Sequence, residues 1–335
     1  MSLPPYTSLV QIALQLPSPD DLSYSAELEL ADLQSFVTSN RILLDDARDH
    51  LDASCAVPLE YDADYFRRHC PEIQVLRNLA DAFYFEGILA LQTQQYDRVI
   101  SAGLTLIDLG NATARGGLQV DYLASVRSIA LGSSLLCKAR ENFDAEQRSR
   151  LLSELARVES EHEPVEVAIE RDELWTELVD YPDEEIDPDT MALPPEMTDD
   201  LSPEQLAEFQ QIIQEGMSNL PEDNQAMYAC FEQRTIATFR LLALDLALQQ
   251  FAALTGTYPA DLEHLRPGVL PDIPRDPFTG QAFRYQPKSA DESESFLLYS
   301  PGPLQVDHGG QPGNWPEVLQ GNADFSLQTF TLEGE

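Results

Sequence analysis

The chain has 335 residues, 58 of them Asp or Glu and 20 Lys or Arg, a formal net charge of −38 at neutral pH. That balance excludes general binding to nucleic acid or to an anionic membrane face, because neutralising phosphates takes clustered Lys and Arg. Apolar and aromatic residues make up 43% of the chain, an ordinary share that excludes wholesale disorder, and the length suits a substantial core and roughly two domains.

Only two lysines occur, Lys138 and Lys288, which fits a surface adapted to salt or selected for solubility. The expected fold class is mainly α with a small α+β tail: a helical-hairpin array, then a long helix packed on a small antiparallel sheet. The expected division is a helical-hairpin domain over 1–178, an acidic linker over 179–201, and a long helix with a small sheet over 202–335.

In chain order, Leu9, Ile12, Ala13 and Leu16 form a short apolar stripe that ends at Pro17-Ser18-Pro19. Phe36, Val37, Leu43, Leu44, Ala47 and Leu51 have helical spacing. Cys55 to Tyr61 reads as a loop packed down by its apolar residues. From Pro71 the spacing of Ile73, Leu76, Leu79, Ala80, Phe83, Gly87, Ala90 and Leu91 predicts a long amphipathic helix. After the polar break Gln92 to Gln95, Tyr96, Val99, Ile100 and Leu104 predict its antiparallel partner.

Gly87 followed by Tyr96 is similar to one tetratricopeptide hairpin, although Glu86 and Val99 stand where that repeat prefers Leu and Ala. If the helices stack in that way, Phe83, Tyr84, Phe85 and Tyr96 are candidates for the lining of a peptide groove. The competing reading places these rings in the core, since Phe83 and Tyr96 fall on the hairpin's inward pattern. A third helix is expected over Leu118 to Ala139, with Gly132 in its interior counting against it. Asp144 with Gln147 makes a capping pair for a fourth.

Between Arg171 and Arg234 the sequence holds 18 Asp and Glu, no basic residue and no histidine. Tyr181 to Asp189 reads there as an extended acidic linker, and Ser202-Pro203-Glu204-Gln205 as a helix start. Met227 to Leu254 predicts a long helix, apolar around most of its circumference from Ile236 onward, with Gly256 as a left-handed cap. Its most apolar run, Leu241 to Leu248, is interrupted by Asp245, so no direct membrane span is expected. Ala282 to Tyr285 and Ser295 to Tyr299 are expected strands, with Phe325-Ser326-Leu327 and Phe330-Thr331-Leu332 supplying another edge strand.

The turns of this last third carry a pattern: Gly256-Thr257-Tyr258-Pro259 after the helix, then Asp276-Pro277-Phe278-Thr279-Gly280, and finally Ser300-Pro301-Gly302 with Asp307-His308-Gly309-Gly310. Over residues 236–310 the chain resembles the globular part of the major pseudopilins of type II secretion systems. The chain as a whole resembles exported bacterial proteins that place such a tail behind a helical ectodomain. The resemblance implies an envelope location, exported or anchored with an N-terminal anchor removed, and a protein partner, but no catalytic residue. Were Met1 the native start, a cytoplasmic adaptor is expected instead. Met1 to Pro5 lacks the basic start and apolar centre of a signal peptide. The family's Gly/Asp loop holds calcium, which takes six to eight oxygen ligands. Here Leu304 and His308 replace expected acidic residues, leaving Asp307 and backbone carbonyls.

Other chemistry finds little support. Cys55 and Cys70 bracket a loop that a disulfide would close in an oxidising compartment. Cys137 and Cys230 read as buried small hydrophobes. His50, Cys55, His69 and Cys70 cluster in sequence but lack zinc-site spacing, and a Cys pair flanked by surface histidines is the expected arrangement. Glu159, Glu161, Glu163, Glu166 and Glu170 form an acidic helical neighbourhood, read as a solvated face. No Gly-x-Ser-x-Gly and no phosphate loop occur. The expected role is therefore a non-enzymatic envelope interaction or structural protein with no cofactor. The alternatives are a carboxylate-dependent hydrolase of polysaccharide or peptide, and a calcium-responsive module.

Overall fold

The computed structural model describes residues 4–17, 30–179, 224–288 and 296–332. The helices are α1 (Pro5–Ala13), α2 (Leu30–Arg48), α3 (Tyr65–Gln92), α4 (Tyr96–Ala114), α5 (Gln119–Ala139), α6 (Ala145–Glu161), α7 (Val165–Leu178), α8 (Asn224–Thr255), α9 (Trp315–Leu319) and α10 (Thr329–Leu332). Single 3-10 turns lie at Arg140–Asn142 and Leu262–Leu265. Strands β1 (Arg284–Pro287) and β2 (Phe296–Tyr299) pair antiparallel, with Arg284 opposite Tyr299 and Pro287 opposite Phe296. The fold is thus mainly α with a small α+β tail. Apart from Val179, the expected linker and the helix start at Ser202 lie outside the described residues.

Where the sequence carries local instructions, the elements follow them. Asp144 accepts from the Gln147 N–H at 2.9 Å while Gln147 Oε1 accepts from the Asp144 N–H at 3.0 Å, a capping box that opens α6. Gly256 ends α8 at φ +83°, its N–H donating to Ala252 O.

The departures have tertiary causes. Helix α3 starts at Tyr65 rather than Pro71, and Pro71 lies inside it. The missing N–H costs one helical bond, but Tyr65 is buried, stacked on His69 at 4.8 Å and packed near Trp175. Only Phe325 of the expected last edge strand pairs, through a single bridge to Ser300. The chain then turns, with Ser326 Oγ accepting from the Gln328 N–H, and residues 329–332 are helical. Helix α8 is long and apolar enough to cross a membrane by length and composition alone. More than half of its apolar window is buried inside the protein, and it packs on α6, α5 and α7.

The core is continuous. Leu9 of α1, Leu79 and Phe83 of α3, Ile107 of α4, Leu136 of α5, Leu151 of α6, Leu244 of α8 and Phe325 of the tail all belong to one cluster of buried apolar side chains. Helices α4 and α5 cross most closely where glycines meet. A Cβ on Gly132 would lie 2.4 Å from the Gly103 carbonyl oxygen, and one on Gly110 would lie 2.5 Å from Ile129. The glycine that counts against a helix in the sequence is what lets this helix approach its neighbour.

His69 is buried and His162 half-buried, and their surroundings shift the two imidazoles in opposite directions. His162 meets Asn111 Oδ1 through Nδ1 at 3.0 Å, and the Asn111 amide donates to Val158 O at 3.1 Å, so Nδ1 carries the proton. Nε2 is buried without a hydrogen-bond partner among the described residues. Burial pushes the imidazole down to about 4. Its folded value lies below the unfolded one near 6.5, so the neutral ring's contribution is intact above pH 6.5 and is lost as pH falls toward 4. Urea denaturation across this range is expected to show a loss of about 3 kcal/mol from this group. The His162→Gln variant is expected to lack that component; an unchanged acid slope would contradict the assignment.

Candidate binding site

Helix α8 places Asp245, Gln249, Ala252 and Ala253 along one face, at spacings of four, three and one residues. This face forms one wall of a cleft of about 980 Å³ between the helical body and the tail. Arg140 and Glu141 from the 3-10 turn after α5, and Arg148 from the start of α6, stand at one end. Tyr258, Lys288 and Phe296–Leu298 of β2 form the facing side, with residues 308–312 and 326–328 closing the rim.

Two buried carboxylates fix this facing side. Asp324 is fully buried and accepts from the backbone N–H groups of His308 (3.1 Å), Gly310 (2.7 Å) and Gln311 (3.2 Å), pinning the rim loop. Asp276, also fully buried, accepts from the Phe278 N–H (3.0 Å), the Thr279 hydroxyl (2.9 Å) and the Ser300 hydroxyl (2.8 Å), tying its turn to the end of β2. Both carboxylates replace water with oriented donors, the condition for burying such a group.

The cleft's charge differs from the rest of the chain. Among the described residues its lining holds three Arg and Lys side chains against two carboxylates, together with His308, on a chain where acids outnumber bases nearly three to one. Asp245 is 7% exposed, accepts from Gln249 Nε2 at 2.5 Å and lies 3.5 Å from Arg140 Nε. Burial raises its carboxyl above the usual range, with Arg140 and Gln249 opposing the shift. At 3.5 Å the Arg140 contact is an ion pair rather than a hydrogen bond, and Nε has no bonded acceptor among the described residues. Arg148 is held by the Phe143 carbonyl and by Gln250 Oε1.

The residues singled out by sequence lie elsewhere. Phe83 and Phe85 are buried in the core, Phe83 beneath the Arg48 guanidinium and Phe85 edge-on to Phe36, so they line no open groove. Tyr84 and Tyr96 are half-buried, and Tyr96 packs edge-on to Phe143. Asp307 Oδ1 accepts from the Tyr299 hydroxyl and the Gly309 N–H, each at 2.9 Å, and Oδ2 faces Arg284 at 3.2 Å. The Gly309 and Tyr299 bonds lower its carboxyl; its oxygens are turned toward donors, not grouped with other carboxylates.

All four cysteines are free, with Cys55 buried and Cys70 exposed, so the 55–70 bridge is not formed. His69 is buried, not on the surface, and bonds to Asp121 at 2.6 Å. Among the described residues no three His, Cys, Asp or Glu side chains come together as a metal-binding group. The acidic neighbourhood of α6 and α7 is cross-linked more than solvated: Glu159 pairs with Arg240, Glu161 with Arg157 and Glu163 with Arg171.

Sequence reasoning did not single out Arg140 or Arg148, and it named Lys288 and His308 without connecting them to a cleft. The available signal was Asp245 interrupting an apolar run, since a carboxylate there is buried only with partners. Comparison with known protein families, with characterised proteins and with solved structures finds no match.

Proposed function

We propose that this protein is a non-enzymatic interaction protein that holds an anionic segment of a partner polypeptide in the cleft between α8 and the tail. The carrying observation is the local charge inversion: Arg140, Arg148 and Lys288 line one open cleft of a chain at −38. Complementary potential selects partners and suppresses wrong ones. The turn series from Gly256 to Gly310 supports a bacterial envelope setting through its pseudopilin resemblance.

The hydrolase reading rests on Asp245, whose raised carboxyl lies in a cleft with Tyr258 and Phe296. It is the weaker reading, because the cleft's other carboxylate, Glu141, is 76% exposed and Asp245 is engaged by Arg140 and Gln249.

Fluorescence anisotropy with a labelled Glu-rich hexapeptide and its Lys-rich counterpart tests the proposal. The acidic peptide is expected to bind and the basic one not. The Arg148→Glu/Lys288→Glu double variant, checked for an unchanged melting temperature, is expected to weaken binding at least roughly tenfold. Arg41→Glu, at an exposed site on α2, is expected to change little. Equal binding of both peptides, or of neither, would sink the proposal.

A further inference from the structure

Antiparallel strands direct their backbone groups alternately to the two sides. On β2, Ser300 exchanges both backbone bonds with Phe325, N–H to O at 2.9 Å and 2.8 Å, on the side away from β1. By alternation Leu298 and Phe296 direct their N–H and C=O to that same outer side, while Tyr299 and Leu297 bond Arg284 and Gln286 of β1. The row next to β2 is thus begun by residues 324–325, which also bridge to Pro312 on their far side. It breaks off when residues 326–328 turn toward α10. Among the described residues no backbone or side-chain group bonds Leu298 or Phe296 on the outer side.

This edge borders the cleft. Phe296, Leu297 and Leu298 line it together with Ala252 and Ala253 of α8 and Gly309 to Pro312. The lining of the cleft combines small and apolar residues, among them Ala252, Ala253, Gly309 and Gly310, with the cations Arg140, Arg148 and Lys288.

Resting on the interaction reading above, we propose that the partner binds by strand addition. An extended acidic segment takes up the row that residues 324–325 begin, bonds its backbone to Phe296 and Leu298, and presents its carboxylates to Arg140, Arg148 and Lys288. Main-chain bonds supply affinity in this mode, and alternate side chains supply selectivity. Charge complementarity favours an acidic occupant over a second copy of this chain, whose own tail would bring the same cations to the edge.

The test uses the intact protein and an acetylated, amidated Glu-Val-Glu-Val-Glu-Val peptide, with one backbone nitrogen methylated at a time. Strand addition predicts an alternating pattern: methylation at every second position weakens binding roughly tenfold or more, since each lost bond leaves a buried carbonyl unpaired, and the positions between change little. The Leu298→Pro variant removes the outward N–H without touching a β1 bond, and is expected to weaken binding comparably, while Leu298→Ala retains most of it. If the parent peptide binds but the methyl scan is flat or uniform, strand addition is overturned and the interaction reading survives. If the parent peptide does not bind, both fall.

Discussion

Replacing Asp121 with alanine is expected to cost about 3–5 kcal/mol of stability, the range for breaking a buried charge pair from one side. Asp121 is 1% exposed and serves two elements at once. Oδ2 accepts from the Leu118 N–H at 2.8 Å, capping α5, while Oδ1 meets His69 Nε2 of α3 at 2.6 Å. The other ring nitrogen, Nδ1, lies 3.2 Å from Glu72. Burial pushes His69 down, but the bonds and charges of Asp121 and Glu72 outweigh it and raise the imidazole to about 9. At neutral pH the ring is therefore a buried cation stacked on Tyr65.

Removing Asp121 leaves that cation with one partner at the protein edge and uncaps α5. The pH dependence separates this from simple loss of packing. A folded value above the unfolded one near 6.5 means His69 contributes fully below pH 6.5, and the contribution is lost as pH rises through about 9. Denaturation at a series of pH values is expected to show that decline in the parent and not in Asp121→Ala. Parallel profiles would mean that the pair does not carry the charge.

The Gly132→Ala variant is expected to lose on the order of 3 kcal/mol, the upper part of the range for overpacking. In an exposed helix the same change would gain about 1 kcal/mol from propensity, so the sign decides the matter. The added methyl would sit 2.4 Å from the Gly103 carbonyl oxygen and 3.0 Å from side-chain atoms of both Leu106 and Ile107. The first of these is backbone and has no rotamer to escape into, so α4 and α5 must part along the seam. Gly268→Ala, where a Cβ would meet nothing within 4 Å, is the matched control and is expected to be neutral or slightly stabilising. Equal effects at the two positions in thermal denaturation would refute the close-approach argument.

What could be read from the sequence was what neighbours in the chain decide. The Asp144–Gln147 cap, the Gly256 stop and the period of α3 through α6 are local, and each lies where its residues predicted. Burial of His69 was misread because α3 begins before Pro71, carried there by Tyr65 packing against His69 and Trp175, which no local signal announces. The cleft was invisible for a stronger reason. Arg140, Arg148, Asp245, Lys288 and His308 come from five separate stretches, and only folding sets a tail residue beside the α5–α6 turn. Phe83 and Phe85 stand between two readings in the sequence, since aromatic rings at helical spacing fit a groove or a core until the packing around Arg48 and Phe36 is known.

Helix α5 is enclosed by α3, α4, α7, α8 and, last of all, α10. The residues that finish its cover thus leave the ribosome roughly 200 positions after α5 itself, a delay of about 10–40 s at ordinary synthesis rates. Throughout that interval an apolar flank of the nascent chain faces the cell. Assembly of the core is in effect a check on completeness, because a polypeptide stalled short of Thr329 leaves the seam open for chaperones and proteases to find.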